Sequence, residues 1–275
     1  MTTEDPWAWA RARSDEQRAP VKIDTSRSHP ARSYDYLLGG KDNYEVDRQF
    51  AEAMLKISPN ARDRVREARA FLRRVVRFLA GAAGIRQFLD IGAGLPTQGN
   101  VHEVAQRVAP EARVVYVDND PIVLVHARAL LAVSDRTLAV QSDLRDPDTI
   151  LRRATTEGGI DLEQPVAILL MAVLHFITDE QDATGIVARL RDALAPGSYL
   201  ALSHVCSESD PKTSQVADLF RDATAPMVPR SRAQIEQFFH GMELVDPGVV
   251  KVYRWRPDEP SAGQSWSYGG VARKN

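Results

Sequence analysis

The chain has 275 residues, of which 44% are hydrophobic and 26% are charged, and its formal net charge is −2. This composition is ordinary for a soluble globular protein, and the near-neutral charge gives no overall field that would favour nucleic acid or an anionic membrane. Cys206 is the single cysteine, which excludes an internal disulfide framework and fits a reducing compartment, so we expect a cytoplasmic protein. No apolar run approaches the roughly 20 residues that cross a bilayer.

The first part of the chain divides into two predicted regions. Residues 1–30 are rich in Arg, Asp, Ser and Pro and lack hydrophobic periodicity, so they are predicted to be disordered or loosely packed. They also lack the apolar core of a secretory signal. Residues 31–84 are predicted to be a helical region that includes a lid. Its clearest helix, over residues 60–82, has an apolar stripe made of Val65, Ala68, Leu72, Val75, Val76 and Leu79.

From residue 85 the pattern changes to short apolar runs separated by helical segments. The runs cover residues 86–91, 113–118, 137–141, 166–171 and 198–204. Each is nearly continuous rather than alternating, which is typical of parallel strands covered on both faces. Asp120-Pro121 and Asp146-Pro147 mark the starts of two of the intervening helices. Alternating strands and helices predict right-handed β-α-β units.

The C-terminal part breaks this alternation. The runs at 249–255 and 265–272 are joined by a loop that contains Pro257 and Pro260 rather than by a helix, which predicts a closing antiparallel pair. Residues 85–275 are therefore predicted to form a doubly wound α/β domain with a seven-stranded, mostly parallel sheet and a terminal antiparallel strand.

The most informative motif is the glycine turn that follows the first of these runs, FLDIGAG at residues 88–94. Ligands of open parallel sheets bind beyond the carboxyl ends of the strands, and glycines allow a close approach of the backbone. A dinucleotide fingerprint would need a third glycine at position 97, which is Thr97, and Pro96 precedes it. Asp90 would repel a pyrophosphate and attract an ammonium group. The turn therefore favours S-adenosylmethionine over NAD, and a tight turn without a ligand remains the alternative.

Two further acids follow the next two predicted strands. Asp118 ends the second strand, where a carboxylate can accept both ribose hydroxyls of an adenosyl ligand. Asp143 follows the third strand, where it can accept a hydrogen bond from the adenine amino group. Taken singly, Asp118 is also a candidate helix cap and Asp143 an ordinary turn residue. Acids at three consecutive strand ends indicate a common ligand.

These motifs resemble the core of class I S-adenosylmethionine-dependent methyltransferases over residues 88–204. The resemblance rests on DIGAG at 90–94, YVD at 116–118, SD at 142–143, ILLMAVLHF at 168–176 and LAPGSYL at 194–200. The segment RSYDYLLGGKDNY at 32–44 is also similar to the N-terminal signature of an uncharacterised actinomycete S-adenosyl methyltransferase family, and that match extends over residues 25–275. The resemblance implies the fold and the cofactor, with S-adenosylhomocysteine as its product, and implies no particular substrate.

The N-terminal signature has two interpretations. In the first, Tyr34, Leu37 and Leu38 pack a helix onto the core and Gly39-Gly40 end it. In the second, the segment is a lid that excludes water from the site, with the two glycines as its hinge. Lys41 or Asn43 would then reach the carboxylate of the cofactor or the substrate.

The glycine turn, the three strand-end acids, the lid interpretation and the resemblance together give the candidate cofactor site. The predicted cofactor-binding residues are Tyr36, Gly39, Gly40, Lys41, Asn43, Asp90, Gly92, Ala93, Gly94, Asp118, Asn119, Ser142, Asp143, Leu144, Met171 and Ala172.

Methyl transfer from a sulfonium needs alignment of the acceptor and exclusion of water, and it needs a base only when the acceptor must lose a proton. His175 and His204, at the ends of the fourth and fifth predicted strands, are the candidate catalytic bases, although a packing role is the alternative for His175. The sequence contains no metal-binding motif. A small-molecule acceptor is expected, and neither nucleic acid nor a membrane is an expected partner. The competing hypotheses are a catalytically silent cofactor-binding module and an NAD-dependent oxidoreductase.

Overall fold

The computed structural model describes residues 24–96, 99–131, 135–259 and 263–275, without the side chains of residues 128–131. Most of the N-terminal segment for which disorder is predicted, as well as Thr97 and Pro260, therefore lies outside the described residues. Of that segment, residues 24–30 are described. There Ser28 is buried, and the Arg27 side chain donates hydrogen bonds to the backbone carbonyls of Asp222 and Ala223.

The centre of the molecule is one twisted sheet with strand order β3-β2-β1-β4-β5-β8-β6, in which β7 also pairs with β8. The strands are β1 (Gln87–Ile91), β2 (Arg113–Asp118), β3 (Thr137–Gln141), β4 (Ala167–Met171), β5 (Tyr199–Val205), β6 (Glu243–Leu244), β7 (Val250–Lys251) and β8 (Ser267–Arg273). Strands β1 to β5 are parallel, whereas β8 is antiparallel to β5, β6 and β7. The strand order reverses between β1 and β4, which places the ligand crevice of such folds beside the end of β1.

Helices cover both faces of the sheet. Those of the described residues are α1 (Pro30–Leu38), α2 (Glu45–Ile57), α3 (Ala61–Ala80), α4 (Val101–Val108), α5 (Pro121–Leu131), α6 (Pro147–Thr156), α7 (Ala183–Asp192), α8 (Thr213–Leu219) and α9 (Arg232–Gln237). The predicted starts of α5 and α6 are confirmed, because Asp120 accepts from the backbone N–H of Ile122 and Asp146 from that of Thr149. No helix in the described part of the chain is long and apolar enough to span a membrane.

The doubly wound α/β architecture is confirmed, but the C-terminal part of the sheet differs in detail. The predicted strand at 249–255 is only two residues long, and a 3-10 turn replaces the rest. Arg74 of α3 explains this turn, because its guanidinium donates to the backbone carbonyls of Trp255 (2.9 Å) and Val252 (2.7 Å) and so satisfies groups that a strand would otherwise pair. The short strand β6 has no counterpart among the predicted runs.

The N-terminal helices lie over one end of the sheet. Leu37 of α1, Met54 of α2 and Val65 of α3 are buried together with Phe220 and Trp266. The cluster is separate from the two apolar layers that sandwich the sheet. It places α1 to α3 directly above the carboxyl ends of β4 and β5, where the candidate site lies.

Candidate active site

A cavity of about 330 Å³ lies beyond the carboxyl ends of strands β1 to β5. Its lining comes from the turns that follow these strands, from α1 and α3, and from Trp266 and Ser267 at the start of β8. The volume is within the range of small-molecule sites, roughly 300–1,000 Å³. The predicted acids of the first three strands, Asp90, Asp118 and Asp143, all line this one cavity.

The glycine turn after β1 has a backbone that requires glycine. Gly92 and Gly94 have φ angles of 74° and 67°, in the left-handed region. A Cβ atom on Gly92 would lie 2.4 Å from a methyl carbon of Val173, so the turn packs tightly against the loop after β4. A Cβ atom on Gly94 would meet no atom within 4 Å. The turn therefore packs against Val173 at Gly92 and leaves open space at Gly94. Ala93, between them, also lines the cavity.

Asp118 joins the glycine turn to the loop after β2. One carboxylate oxygen accepts from the backbone N–H of Gly94 and the other from that of Asp120, each at 2.9 Å. The side chain is only 7% exposed. Burial raises its pKa to about 6, although the two backbone donors act in the opposite direction. Each oxygen keeps a further lone pair, so the carboxylate can still accept hydrogen bonds from two ligand hydroxyls.

Asp90 is the most perturbed acid of the cavity. It is 5% exposed, and burial raises its pKa to about 7, even though the nearby Arg69 guanidinium favours the ionised form. In the part of the chain that the structure describes, no hydrogen bond to its carboxylate is found. A buried carboxyl group with a pKa near neutrality is suited to a cationic ligand, which would restore the charged form.

Asp143 differs from the other two acids because it already has a cationic partner. Hydrogen bonds from the Arg145 guanidinium lower its pKa to about 2, and the amide of Asn119 lies 3.3 Å from it. Asn119, Ser142 and Leu144 line the same end of the cavity. This end therefore offers a fixed carboxylate beside an apolar side chain, which suits a planar base with an exocyclic amino group.

Arg69 of α3 is a cavity residue outside the predicted cofactor site. It lines the cavity beside Asp90, and its Nε and Nη2 atoms are buried without a hydrogen-bond partner among the described residues. These two atoms share one edge of the guanidinium, the edge that binds a carboxylate with two parallel hydrogen bonds. A signal was present in the sequence: Arg69 interrupts the apolar stripe of α3, four residues after Val65 and three before Leu72.

The N-terminal signature is held together by hydrogen bonds between its own residues. Gly39 ends α1 with φ 87°, and a Cβ atom on Gly40 would collide with the Asp35 carboxylate. That carboxylate accepts from the backbone N–H of Asp42 (3.0 Å) and the side chain of Asn43 (2.8 Å). Both glycines thus have structural reasons to be there, as the packing interpretation expects.

The structure does not bring the predicted lid residues to the cavity. Tyr36, Gly39, Gly40, Lys41 and Asn43 are absent from its lining, whereas Tyr34, Asp35 and Leu37 of the same segment are present. Tyr36 donates instead to Glu52 (2.7 Å), and Lys41 is exposed. α1 therefore covers the cavity with the helix face that carries Tyr34 and Leu37, and the cation near Asp90 is Arg69 rather than Lys41.

The two candidate histidines have different surroundings. His175 lines the cavity, is 3% exposed, and has an Nδ1 atom without a hydrogen-bond partner among the described residues. Burial lowers its pKa well below the usual value, so its ring is neutral near pH 7. His204 is fully buried outside the lining, and both of its ring nitrogens are occupied, Nδ1 by Val205 O (2.8 Å) and Nε2 by Arg230 Nη1 (3.0 Å).

The loop after β4 completes the wall between the two histidines and the glycine turn. Met171 and Ala172 line the cavity. Ala172 has φ 56°, and its backbone N–H donates to Ser203 of β5. This strained residue turns the chain so that Val173 and His175 face the site.

Beside polar side chains such as Arg64 and Asp35, the rest of the wall is a mainly apolar surface. Its members come from α1, α2, the turns after β4 and α8, and the start of β8: Leu37, Met54, Phe176, Phe220, Met227 and Trp266. The Phe176 and Phe220 rings are in contact, with centroids 5.5 Å apart. The cavity thus has a polar half with three acids and Arg69, on the side of β1 to β3, and an apolar half on the side of β4, β5 and β8.

Comparison with known proteins agrees with this geometry. A family model described as S-adenosyl methyltransferase matches residues 16–275. A DUF574 family protein of known structure from Streptomyces avermitilis is 46% identical, with a TM-score of 0.88 over 92% of this chain and 100% of that chain. A protein of known structure from Thermobifida fusca, provisionally named a methyltransferase, is 45% identical, with a TM-score of 0.87 over 92% of this chain and 97% of that chain.

More distant matches are partial. A curated Mycobacterium avium protein, provisionally named an S-adenosyl-L-methionine-dependent methyltransferase, is 32% identical over 48% of this chain and 42% of its own length. The chain thus spans less than half the length of the curated relatives it matches. The mitomycin 7-O-methyltransferase structure, at 17% identity and a TM-score of 0.51 over 90% of this chain and 69% of that chain, shares the fold alone.

The sheet order and the cavity at its switch point define a class I, Rossmann-like methyltransferase fold. Within that class, the chain belongs to the S-adenosyl methyltransferase family, whose model covers nearly its whole length. The resemblance found in residues 32–44 and 88–204 is confirmed, and S-adenosylmethionine is the cofactor that this family uses.

Proposed function

We propose that the chain transfers the methyl group of S-adenosylmethionine to a small-molecule acceptor held in the apolar half of the cavity. The observation that carries this proposal is the division of one cavity into a polar half with strand-end acids and an adjoining apolar half. A ligand in each half would meet the other at the loop after β4, where Ala172 and His175 lie.

The residues present fit the cofactor. Asp118 would accept both ribose hydroxyls, and Asp143 with Leu144 would hold the adenine. Asp90 would bind the ammonium of the amino-acid tail. The unpartnered Nε and Nη2 atoms of Arg69 would bind its carboxylate, the role first expected of Lys41. When bound, the cofactor supplies a methyl group that its sulfonium has already activated.

The chain's own contribution is alignment and exclusion of water. α1 covers the cavity, and the Phe176 and Phe220 rings offer a flat apolar wall for the acceptor. His175 would accept a hydrogen bond, and then the proton, from an acceptor hydroxyl or amine. Its depressed pKa makes it a weak base, which suits an acceptor that is itself acidic. His204 would position Arg230 and the loop after β4 rather than take part in the reaction.

The experiment that tests the proposal follows a trideuteriomethyl label. The purified chain is incubated with labelled S-adenosylmethionine and an actinomycete extract separated into small-molecule, nucleic-acid and protein fractions. At a cofactor concentration below the wild-type dissociation constant, we expect label in the small-molecule fraction, and at least tenfold less of it when the Asp118→Ala variant replaces the wild type. Label confined to nucleic acid or protein, or equal labelling by the variant under these conditions, would contradict the proposal.

The affinity for S-adenosylhomocysteine should depend on pH through Asp90 and Asp118. Both acids bind the ligand as carboxylates, but in the free chain their pKa values are raised to about 7 and about 6. Lowering the pH from 7.5 to 5.5 should therefore weaken binding by roughly 30- to 100-fold, because both acids must then release protons. Calorimetry in buffers of different ionisation enthalpy should show proton release on binding near pH 6.

The same two acids should also make the stability of the ligand-free chain depend on pH, in the direction opposite to the affinity. Because their pKa values are raised in the folded, ligand-free chain, the free energy of unfolding that they contribute falls as pH rises from about 4 to 7. An affinity independent of pH across this window would show that neither acid changes protonation on binding.

Replacing Lys41 by alanine should leave the affinity for S-adenosylhomocysteine within about threefold of the wild-type value, as exposed surface substitutions usually change energies by roughly 0.5 kcal/mol. Lys56→Ala, at the exposed end of α2, is the matched control. Calorimetric titration measures both variants. If Lys41→Ala alone lost affinity tenfold or more, which corresponds to about 1.4 kcal/mol of binding free energy, the lid interpretation of the signature would be restored.

A further inference from the structure

The apolar half of the cavity contains buried hydrogen-bond donors without a partner among the described residues. Arg64 of α3 and Trp266 both line the cavity. Among the described residues, no acceptor is found for the buried Nε and Nη1 atoms of Arg64 or for the Nε1 atom of Trp266. Buried polar groups are almost always paired in native proteins, so a group of unpaired donors indicates a missing acceptor.

Arg64 is held rigidly in this position. Its Nη2 atom forms an ion pair with Asp210, and its guanidinium carbon lies 4.7 Å from the centre of the Trp266 ring. The Arg64 side chain is 8% exposed. The ion pair fixes one corner of the guanidinium, and the buried Nε and Nη1 atoms are left without a partner among the described residues.

The surroundings select the chemistry of that ligand. All three unpaired atoms are N–H donors, so they can donate hydrogen bonds to a ligand oxygen but cannot accept any from a protonated amine. Asp35 of α1 also lines the cavity. Its carboxylate already accepts hydrogen bonds from the backbone N–H of Asp42 and the side chain of Asn43, and a Cβ atom on Gly40 would collide with it, so this carboxylate belongs to the local structure of the signature. Beside the donors lie the apolar and aromatic side chains of Phe176, Phe220 and Trp266.

From this arrangement we infer that the methyl acceptor is a planar aromatic compound that carries a carboxylate, which is bound by Arg64 and the Trp266 indole N–H. The inference rests on the proposed function, because it identifies the apolar half as the acceptor site. The carboxylate would accept charge-assisted hydrogen bonds from one of the two unpaired Arg64 nitrogens and from the Trp266 indole N–H, because Nε and Nη1 face different sides of the guanidinium. The aromatic part would lie against the Phe176 and Phe220 rings. This places the acceptor's charge at the opposite end of the cavity from Asp118 and Asp143.

The test uses full-length chain saturated with S-adenosylhomocysteine and titrated calorimetrically with benzoate, cinnamate and 2-naphthoate. The matched probes are the corresponding primary amides and arylmethylamines. At least one acid should bind, with an affinity about tenfold or more above that of its amide, because charge-assisted hydrogen bonds are roughly twice as strong as neutral ones. The corresponding amine should have the lowest affinity of the three. The preference for the acid should disappear in Arg64→Gln.

Two further variants keep the result interpretable if Arg64→Gln does not fold. Trp266→Phe removes the indole N–H and keeps an aromatic ring, so it should weaken acid binding several-fold and leave amine binding unchanged. Asp210→Asn removes the ion pair that orients Arg64 but leaves the Arg64 donors, so the preference for the acid over its amide should become smaller but should not disappear.

The outcomes separate this inference from the proposed function. Wild type and all three variants should bind S-adenosylhomocysteine equally, since none of the substituted residues belongs to the polar half. Failure of the wild type to bind that ligand would overturn the proposed function. Normal cofactor binding would overturn the acceptor inference alone if the amines bound as tightly as the acids, if no probe bound, or if the acid preference survived in Arg64→Gln and Trp266→Phe.

Discussion

Replacing Arg69 by methionine is expected to weaken binding of S-adenosylhomocysteine by about 100-fold or more, since truncating one partner of a buried, hydrogen-bonded charge pair costs roughly 2–5 kcal/mol. The reason is geometric. Nε and Nη2 of Arg69 are buried in the cavity beside Asp90 without partners among the described residues, and a ligand carboxylate can bind both at once. Arg69→Lys should recover only part of the loss, because an ammonium cannot reproduce the two parallel bonds.

A truncated ligand makes this prediction specific. Methylthioadenosine keeps the adenosine and the sulfur but lacks the amino-acid tail, so wild type and Arg69→Met should bind it equally. The control is Arg66→Met, an exposed arginine of the same helix that pairs with Asp63. A parallel loss of both ligands in Arg69→Met would mean that the variant has damaged the cavity as a whole, and unchanged binding of both would remove Arg69 from the site.

Replacing Asp118 by alanine is expected to weaken cofactor binding by about 30- to 150-fold, which corresponds to roughly 2–3 kcal/mol of lost charge-assisted hydrogen bonds. Two effects add in this variant. The ribose hydroxyls lose their acceptor, and the backbone N–H groups of Gly94 and Asp120 lose theirs. The glycine turn should therefore become less ordered as well. Asp118→Asn, which keeps one acceptor oxygen, should have an intermediate affinity.

The matched control for Asp118 is Asp146→Ala. Asp146 caps α6 by accepting from the backbone N–H of Thr149, so its loss should lower the melting temperature and leave the affinity for S-adenosylhomocysteine unchanged. Calorimetric titration and thermal unfolding of both variants separate the two effects. Equal affinity of folded Asp118→Ala and wild type would mean that the ribose lies elsewhere.

The strand ends of the site could be predicted from sequence because each signal is local. A continuous apolar run fixes where a buried strand ends, and Asp90, Asp118 and Asp143 lie at or directly after such ends. In a parallel sheet these ends meet at one edge, so a common cavity follows from topology alone. The starts of α5 and α6 were equally predictable, because Asp-Pro combines a cap with a residue fitted to the first helical turn.

The features that sequence did not reveal depend on distant partners. Arg69 lies within a helix whose apolar stripe dominates the pattern. Its interruption of that stripe is a weak signal, and its place in the cavity beside Asp90 depends on how α3 packs on the sheet. The surroundings of His204 are set by Arg230, which is far away in the chain and also donates to Asp179 and to the backbone after β4. In the N-terminal signature, Gly40 is required by the Asp35 carboxylate, a contact that composition does not predict.

The most direct test of the account is a crystal structure of the chain with S-adenosylhomocysteine. We expect the ligand in the cavity beyond β1 to β5, with both ribose hydroxyls on Asp118, the amino group on Asp90, and the carboxylate on the Nε and Nη2 atoms of Arg69. The sulfur should then face the apolar half, towards His175. A ligand bound outside this cavity, or one whose carboxylate contacts Lys41 while Arg69 stays unpaired, would contradict it.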